Sequence, residues 1–220
     1  YKNNKLLWAK NYKVPFRSNL KLKKNKIIAA SQNNNLIFFN KETGEIAKSI
    51  PTEETIIKNK FTNNLSIENE NLFFLNTYGS LYSINSKTMK INWFVNLNQN
   101  LDLNLTNIFI GNKIINNKNL IVSSANEFTY VVDINTGRII HKKKFFSEIK
   151  PVIINNYLFT VSKNNLLISM DLVDGKILYS YNINQKISEF LNIKKKAVEF
   201  KEFMILKDKI FIFLKNSYLL

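Results

Sequence analysis

Asp133-Ile134-Asn135-Thr136-Gly137-Arg138-Ile139-Ile140-His141 reads as a strand end, a tight turn and the start of the next strand, and it recurs. Asn40-Lys41-Glu42-Thr43-Gly44-Glu45-Ile46-Ala47-Lys48 is one copy, and Asn85-Ser86-Lys87-Thr88-Met89-Lys90-Ile91-Asn92-Trp93 is another. Asp171-Leu172-Val173-Asp174-Gly175-Lys176-Ile177-Leu178-Tyr179 is a further copy, and Lys5-Leu6-Leu7-Trp8 matches the tail of one more. The turn positions 44, 89, 137 and 175 lie 45, 48 and 38 residues apart. Self-similarity at a period of roughly 40–50 residues predicts a repeat architecture.

The repeated unit has a readable physical logic. Asp or Asn at its head bonds its own backbone and starts a turn. Thr-Gly or Asp-Gly then supplies a residue that tolerates positive φ, as a hairpin with a glycine bulge requires. Met89 departs from this rule, and a non-glycine residue in the left-handed region costs roughly 1 kcal/mol, which points to a different turn type there. After the turn come a charge, apolar residues and a slot held by Trp8, Trp93 and Tyr179 in three copies, and by Lys48 and His141 in the other two. A large ring at a fixed point of each repeat suits packing between neighbouring sheets.

At 220 residues and 45% hydrophobic content, the chain is long enough to bury a substantial core and suits one domain, 1–220. Its apolar residues are rich in β-branched and aromatic types, which favour strands. No apolar run approaches the roughly 18 residues of a membrane helix. No signal peptide is visible. The start at Tyr1 rather than Met reads as a processed or excised segment, from which a targeting signal can have been lost. Cysteine is absent, which excludes disulfides and thiolate chemistry within these residues. The net charge of +16 invites a nucleic-acid reading. However, Arg17 and Arg138 are the only arginines, and the other 30 basic residues are lysines in a chain crowded with Asn and Ile. AT-rich coding and lysines guarding strand edges account for much of that charge, so no nucleic-acid partner is expected.

Taken in order, the chain predicts an outer strand over Lys5–Tyr12 and then four-stranded groups. The first is 19–22, 27–31, 36–40 and 45–50; the second is 64–68, 71–77, 80–85 and 91–97. The third is 108–115, 120–124, 128–133 and 138–145; the fourth is 152–154, 157–162, 166–171 and 176–183. Strands at 198–206, 210–214 and 217–220 come last, and Gln185–Ala197 reads as a helix or a lysine-rich loop. Short strands punctuated by Asn, Gly, Asp and Lys turns are a hairpin-rich all-β pattern. Continuously apolar middle strands such as Leu72-Phe73-Phe74-Leu75 read as buried on both faces. Four strands per roughly 43 residues fit a β-propeller blade. One outer strand at the start and three strands at the end make up one more blade. The chain therefore either closes a five-bladed ring or is a window on a larger one, and the stop at 217–220 favours the window.

The repeated Asp-x-x-Thr-Gly-[Lys/Arg]-x-x-aromatic pattern, with a Gly79-Ser80-Leu81-Tyr82-Ser83-Ile84-type strand before it, resembles the repeat of the PQQ-like, quinoprotein-type β-propellers. The best copies are 79–93, 128–141 and 164–179, and the resemblance covers essentially the whole chain. That family implies two kinds of function: quinoprotein dehydrogenases, and the outer-membrane assembly factor BamB, which the chain resembles most. The enzyme branch implies a calcium, an acidic catalytic base, a vicinal disulfide and a tryptophan over the quinone. This chain cannot form the disulfide, and Trp8 and Trp93 fill repeat positions. Asp133-x-Asn135 matches the start of a calcium loop but sits in the repeated turn and lacks the distal bidentate Glu.

Other chemistry is thin. Glu53-Glu54 and Glu68 with Glu70 read as solvated acids at loops and strand ends. His141, the single histidine, fills the ring slot of its repeat and reads as a packing or surface residue. Gly44, Gly79, Gly111, Gly137 and Gly175 are never spaced as a phosphate loop. Lys142-Lys143-Lys144, followed by Phe145 and Phe146, and Lys194-Lys195-Lys196 are the tight basic runs and fall short of a single-strand-binding platform. The expectation is no catalytic, cofactor-binding or metal-binding residue, no small-molecule substrate, and partner-contact residues that the repeat does not mark. By resemblance the chain is a non-catalytic scaffold that holds protein partners of the outer-membrane barrel-assembly machinery. It would lie in the periplasm close to the membrane without spanning it, anchored by a lipid on an upstream Cys.

Overall fold

The computed structural model describes residues 6–54, 60–98, 109–191, 199–207, 209–215 and 219. The chain divides into two units: Tyr1–Gly111 with Ile134–Gly137, and Asn112–Asp133 with Arg138–Leu220. In the first unit, β1 (Lys21–Lys23), β2 (Lys26–Ala30), β3 (Leu36–Asn40) and β4 (Ile46–Ile50) form one sheet. β5 (Asn64–Glu68), β6 (Asn71–Leu75), β7 (Ser80–Asn85) and β8 (Lys90–Asn96) form the other. In the second unit, β9 (Ile115–Asn116), β10 (Leu120–Ala125), β11 (Phe128–Asp133) and β12 (Ile139–Lys143) make a third sheet. β13 (Val152–Ile154), β14 (Tyr157–Val161), β15 (Leu166–Asp171) and β16 (Ile177–Asn182) make a fourth. Helix α1 (Ile183–Leu191) and the paired β17 (Phe200–Leu206) and β18 (Lys209–Leu214) come after it. Each four-stranded sheet is an antiparallel meander in chain order, the blade that the repeat predicts.

The cores arise from the apolar middle strands. In the first unit, Ile28, Phe38, Leu65, Leu72, Phe74 and Ile84 pack into one cluster drawn from both sheets. In the second, Ile115, Val122, Val131, Leu158 and Met170 form one cluster, and Val161, Ile183, Phe200, Ile212 and Leu214 form another. α1 seats Ile183 and Ile187 in the latter, which decides in favour of a helix where the sequence left helix and loop open.

The β3–β4-type turns are built alike. Asn40 Oδ1 accepts from the N–H groups of Glu42 (2.8 Å) and Thr43 (3.2 Å), and Gly44 N–H donates to Asn40 O at 2.9 Å. Asn85 repeats this with Lys87 and Thr88, both at 2.9 Å. Each outer strand then bulges at the same place, opposite Phe38/Phe39, Ser83/Ile84, Val131/Val132 and Ser169/Met170. Gly44, Gly137 and Gly175 take φ of +70°, +75° and +71°. The second turn is not a different type: Met89 sits at φ +56° and donates its N–H to Asn85 O at 2.7 Å. Packing of the Met89 side chain against the first-unit core offsets the left-handed strain.

Rings seated on the turns account for the glycines. Trp8 lies flat on Gly44, where an added Cβ would stand 2.5 Å from the indole ring, and Trp8 Nε1 donates to Lys41 O at 2.9 Å. Trp93 covers Gly137 in the same way, and its Nε1 donates to Ile134 O at 3.2 Å. Ile134–Gly137 belongs to the same unit as Trp93. In the second unit His141 covers Gly175, with Nε2 3.1 Å from Val173 O. Lys48 is exposed and brings no ring. The second turn is free to carry Met89, and Lys26 Nζ donates to Ser86 O at 3.1 Å, the carbonyl that an indole N–H takes in the first and third turns.

Two outer elements differ from expectation. Residues 6–12 form no strand, yet Trp8 docks on Gly44 all the same. The first strand of the third blade is short, Ile115–Asn116. The stretch before it turns instead to pack Phe109 against Phe61, ring centroids 5.3 Å apart. The strand expected at 217–220 lies outside the described residues apart from Leu219, which bridges to Phe213.

Gly137→Ala places a Cβ about 2.6 Å from the Trp93 ring at positive φ, so it should lower stability by about 1–3 kcal/mol in urea denaturation. Adding Trp93→Ala removes the obstacle, and the pair should then be less than additive. Strict additivity would show that the ring does not restrain the turn.

Candidate functional site

Among the described residues, a dense polar cluster lies in the first unit, where the β2–β3 turn, the β6–β7 turn and the segment after β4 converge. Asn76 opens the turn to β7. Its Oδ1 accepts the N–H groups of Tyr78 (3.1 Å) and Ser80 (2.9 Å), which fixes the amide and aims Nδ2 outward. That Nδ2 donates to Thr52 Oγ1 at 3.1 Å and to Glu53 Oε2 at 3.0 Å. Ser80 Oγ donates to Glu53 Oε1 at 2.9 Å, and Tyr82 OH to Glu53 Oε2 at 2.7 Å. Asn34, wholly buried at φ +59°, donates to Glu53 O at 2.7 Å and accepts from Thr77 Oγ1 at 2.8 Å. Buried Asn63 completes the set, donating to Ser31 O at 2.8 Å and accepting from Thr77 N–H at 3.1 Å.

Glu53 is therefore no solvated surface acid. Burial pushes its pKa up, but hydrogen bonds from Tyr82, its own backbone, Ser80 and Asn76 outweigh that, and the net effect is below the ordinary 4.5. Tyr82 is pushed upward by burial and by the bond and charge of Glu53. A carboxylate held ionised, with donors on both oxygens, is poorly suited to take or give a proton at neutral pH. It is well suited to tie the segment after β4 to the next sheet. Sequence reasoning missed it because an acid in a Glu-Glu pair after Pro51-Thr52 carries no local mark of its partners, Asn76, Ser80 and Tyr82, which lie 23, 27 and 29 residues away.

The other candidates separate. Glu54 is exposed, and Glu70 pairs with Lys24 at 3.5 Å on the surface. Asp133 heads the third turn and donates its N–H to Arg138 O at 2.9 Å. Lys142 Nζ lies 4.3 Å from the Phe128 ring centroid and 5.6 Å from that of Tyr130, a cation–π contact. Phe145 packs against the Ile115–Val122 core, and Lys194–Lys196 lie outside the described residues. Among the described residues, those that the resemblance to the enzyme branch singles out are engaged elsewhere. The Trp8 and Trp93 rings are seated on glycines, Glu53 is bonded by its neighbours, and the chain has no cysteine for the disulfide.

Four-stranded antiparallel blades of one repeated pattern, with rings seated on turn glycines, define a PQQ-type β-propeller repeat protein. The chain belongs to the family described as outer membrane protein assembly factor BamB, whose profile matches residues 1–181. Among solved structures it is similar to BamB from Moraxella catarrhalis, at 10% identity and TM-score 0.65 over 99% of this chain and 66% of that one. It is also similar to the quinohemoprotein alcohol dehydrogenase ADHIIG from Pseudomonas putida HK5, at 8% identity and TM-score 0.63 over 92% of this chain and 39% of that one. The computationally designed Ika4 protein matches at 14% identity and TM-score 0.55, over 82% and 98%. The chain thus spans under two thirds of the length of the two natural proteins. No curated protein matches it.

Glu53→Gln should lower stability near pH 7 by about 1–3 kcal/mol. Because the folded pKa of Glu53 is depressed, its contribution is present above the unfolded value and is lost as pH falls through the folded one. The gap between wild type and variant should narrow once pH falls below the ordinary carboxylate range and close only beneath the depressed folded value. A gap that stays constant from pH 7 to pH 3 would remove the charge from the explanation.

Proposed function

We propose that this chain is a non-catalytic propeller scaffold of the bacterial cell envelope, with residues 1–220 forming one propeller domain or a segment of one. Its role is to hold protein partners during assembly of outer-membrane β-barrel proteins. The family match over residues 1–181 carries the reading. The structure supports it physically, since the side chains that an enzyme of this family would recruit are used for packing and cross-linking. The proposed location is the periplasm, with a lipid anchor on a Cys upstream of these residues. No helix among the described residues is long and apolar enough to cross a membrane.

The likeness to a quinohemoprotein alcohol dehydrogenase favours a second reading, a piece of a quinone-dependent enzyme. Two measurements separate them. Affinity capture from envelope extracts should recover the barrel-assembly machinery, and its absence from the capture would count against the scaffold role. A thermal melt with PQQ and calcium should match the melt without them. A ligand at 100 times its dissociation constant would add about 2.7 kcal/mol, so a clear upward shift would favour the enzyme.

A further inference from the structure

The chain has no cysteine, so its three methionine thioethers are its only sulfur atoms. Their settings differ. Met170 is wholly buried in the second unit, and Met204 stands 45% exposed on β17. Met89 lies half-buried in the β7–β8 turn, between exposed Thr88 and Lys90. It occupies the position that glycine holds in the other three turns, at φ +56°. A residue with a Cβ is disfavoured in that region, and two contacts hold the turn there. The Met89 side chain packs, with Ile67, against the core cluster drawn from both sheets of the first unit. Its N–H donates to Asn85 O at 2.7 Å. The same turn presents Ser86 O and Lys87 O to Lys26 Nζ of the first sheet, at 3.1 and 3.5 Å. One accessible apolar side chain thus keeps a disfavoured backbone in place, and with it a tie between two sheets.

We propose that Met89 is an oxidation site through which a hydroperoxide loosens the seam between the first two sheets. A thioether lone pair attacks one peroxide oxygen, and the O–O bond breaks as the S–O bond forms. Sulfur gives up two electrons, the proton on the transferred oxygen passes to the departing hydroxide, and methionine sulfoxide and water result. The sulfoxide is polar and chiral, so it no longer suits an apolar cluster. It leaves the core rather than forfeit its hydration. A non-glycine residue at positive φ then has nothing to offset its cost, so the turn opens and the Lys26 bond goes with it. The two thiols of a sulfoxide reductase return the thioether, giving a disulfide and water, so the change is reversible. Met170 is shielded, and Met204 lies in a β-strand, whose backbone carries no such cost. The inference stands on the Met89 turn and is independent of the scaffold reading.

The test treats the whole chain with dilute hydrogen peroxide, maps the added oxygen by peptide mass spectrometry and follows urea denaturation. Oxidation at Met89 should lower the folded-to-unfolded ratio about tenfold and speed amide exchange first at residues 85–90. Methionine sulfoxide reductase should restore both. Met204→Leu should respond as the wild type does. Met89→Leu keeps an apolar side chain, and Met89→Gly carries the residue of the other turns; both should keep their denaturation midpoints under the same treatment. Oxygen found on Met204 but not on Met89 would overturn the proposal. So would an unchanged midpoint in chain oxidised at Met89, an equal loss in Met89→Gly, or a loss that the reductase does not reverse.

Discussion

A flat ring seated on a left-handed turn is the contact on which this structure depends. Within a unit, sheet faces packed through aliphatic side chains alone tolerate sliding. The ring removes that freedom twice over. It fills the space above a residue without a Cβ, and its N–H takes a turn carbonyl three residues earlier in the two tryptophan cases. The requirement for glycine comes from the ring as much as from φ. Met89 shows the two separating: its turn keeps positive φ, but Lys48 lays no ring over it. Lys26 then bonds the vacant carbonyl from the neighbouring sheet. The contact can thus be rewritten as an ammonium–carbonyl bond without changing the turn.

The polar cluster around Glu53 does related work at another place in the first unit. Buried Asn34, Asn63, Asn76 and Ser80 must find partners or forfeit their hydration. They find them across elements distant in sequence, with one carboxylate accepting three side-chain donors. Such a network makes the segment after β4 rigid rather than reactive.

Much was legible in the sequence. The period, the Asn/Asp-headed turns and the alternation of short strands gave the blades, because turn chemistry and strand burial are local and repeat. The ring slot also read correctly, down to His141 standing in for a tryptophan. Lys5–Tyr12 read as a strand because its composition is that of one, yet pairing needs a partner that composition does not show. Glu53 read as a surface acid because its neighbours in sequence are polar, while its neighbours in space are Asn76, Ser80 and Tyr82.

The sequence by itself determined the all-β class, the repeat unit, the positions of its turns and the absence of thiol chemistry, since each stems from local backbone preference or plain composition. Only the tertiary structure decided that Met89 could occupy a glycine position and that Glu53 was a hydrogen-bonded tie rather than a solvated acid. Each of these depends on the groups opposite in space. Whether a Cβ is tolerated or a carboxylate solvated is set by neighbours that the fold brings from far along the chain.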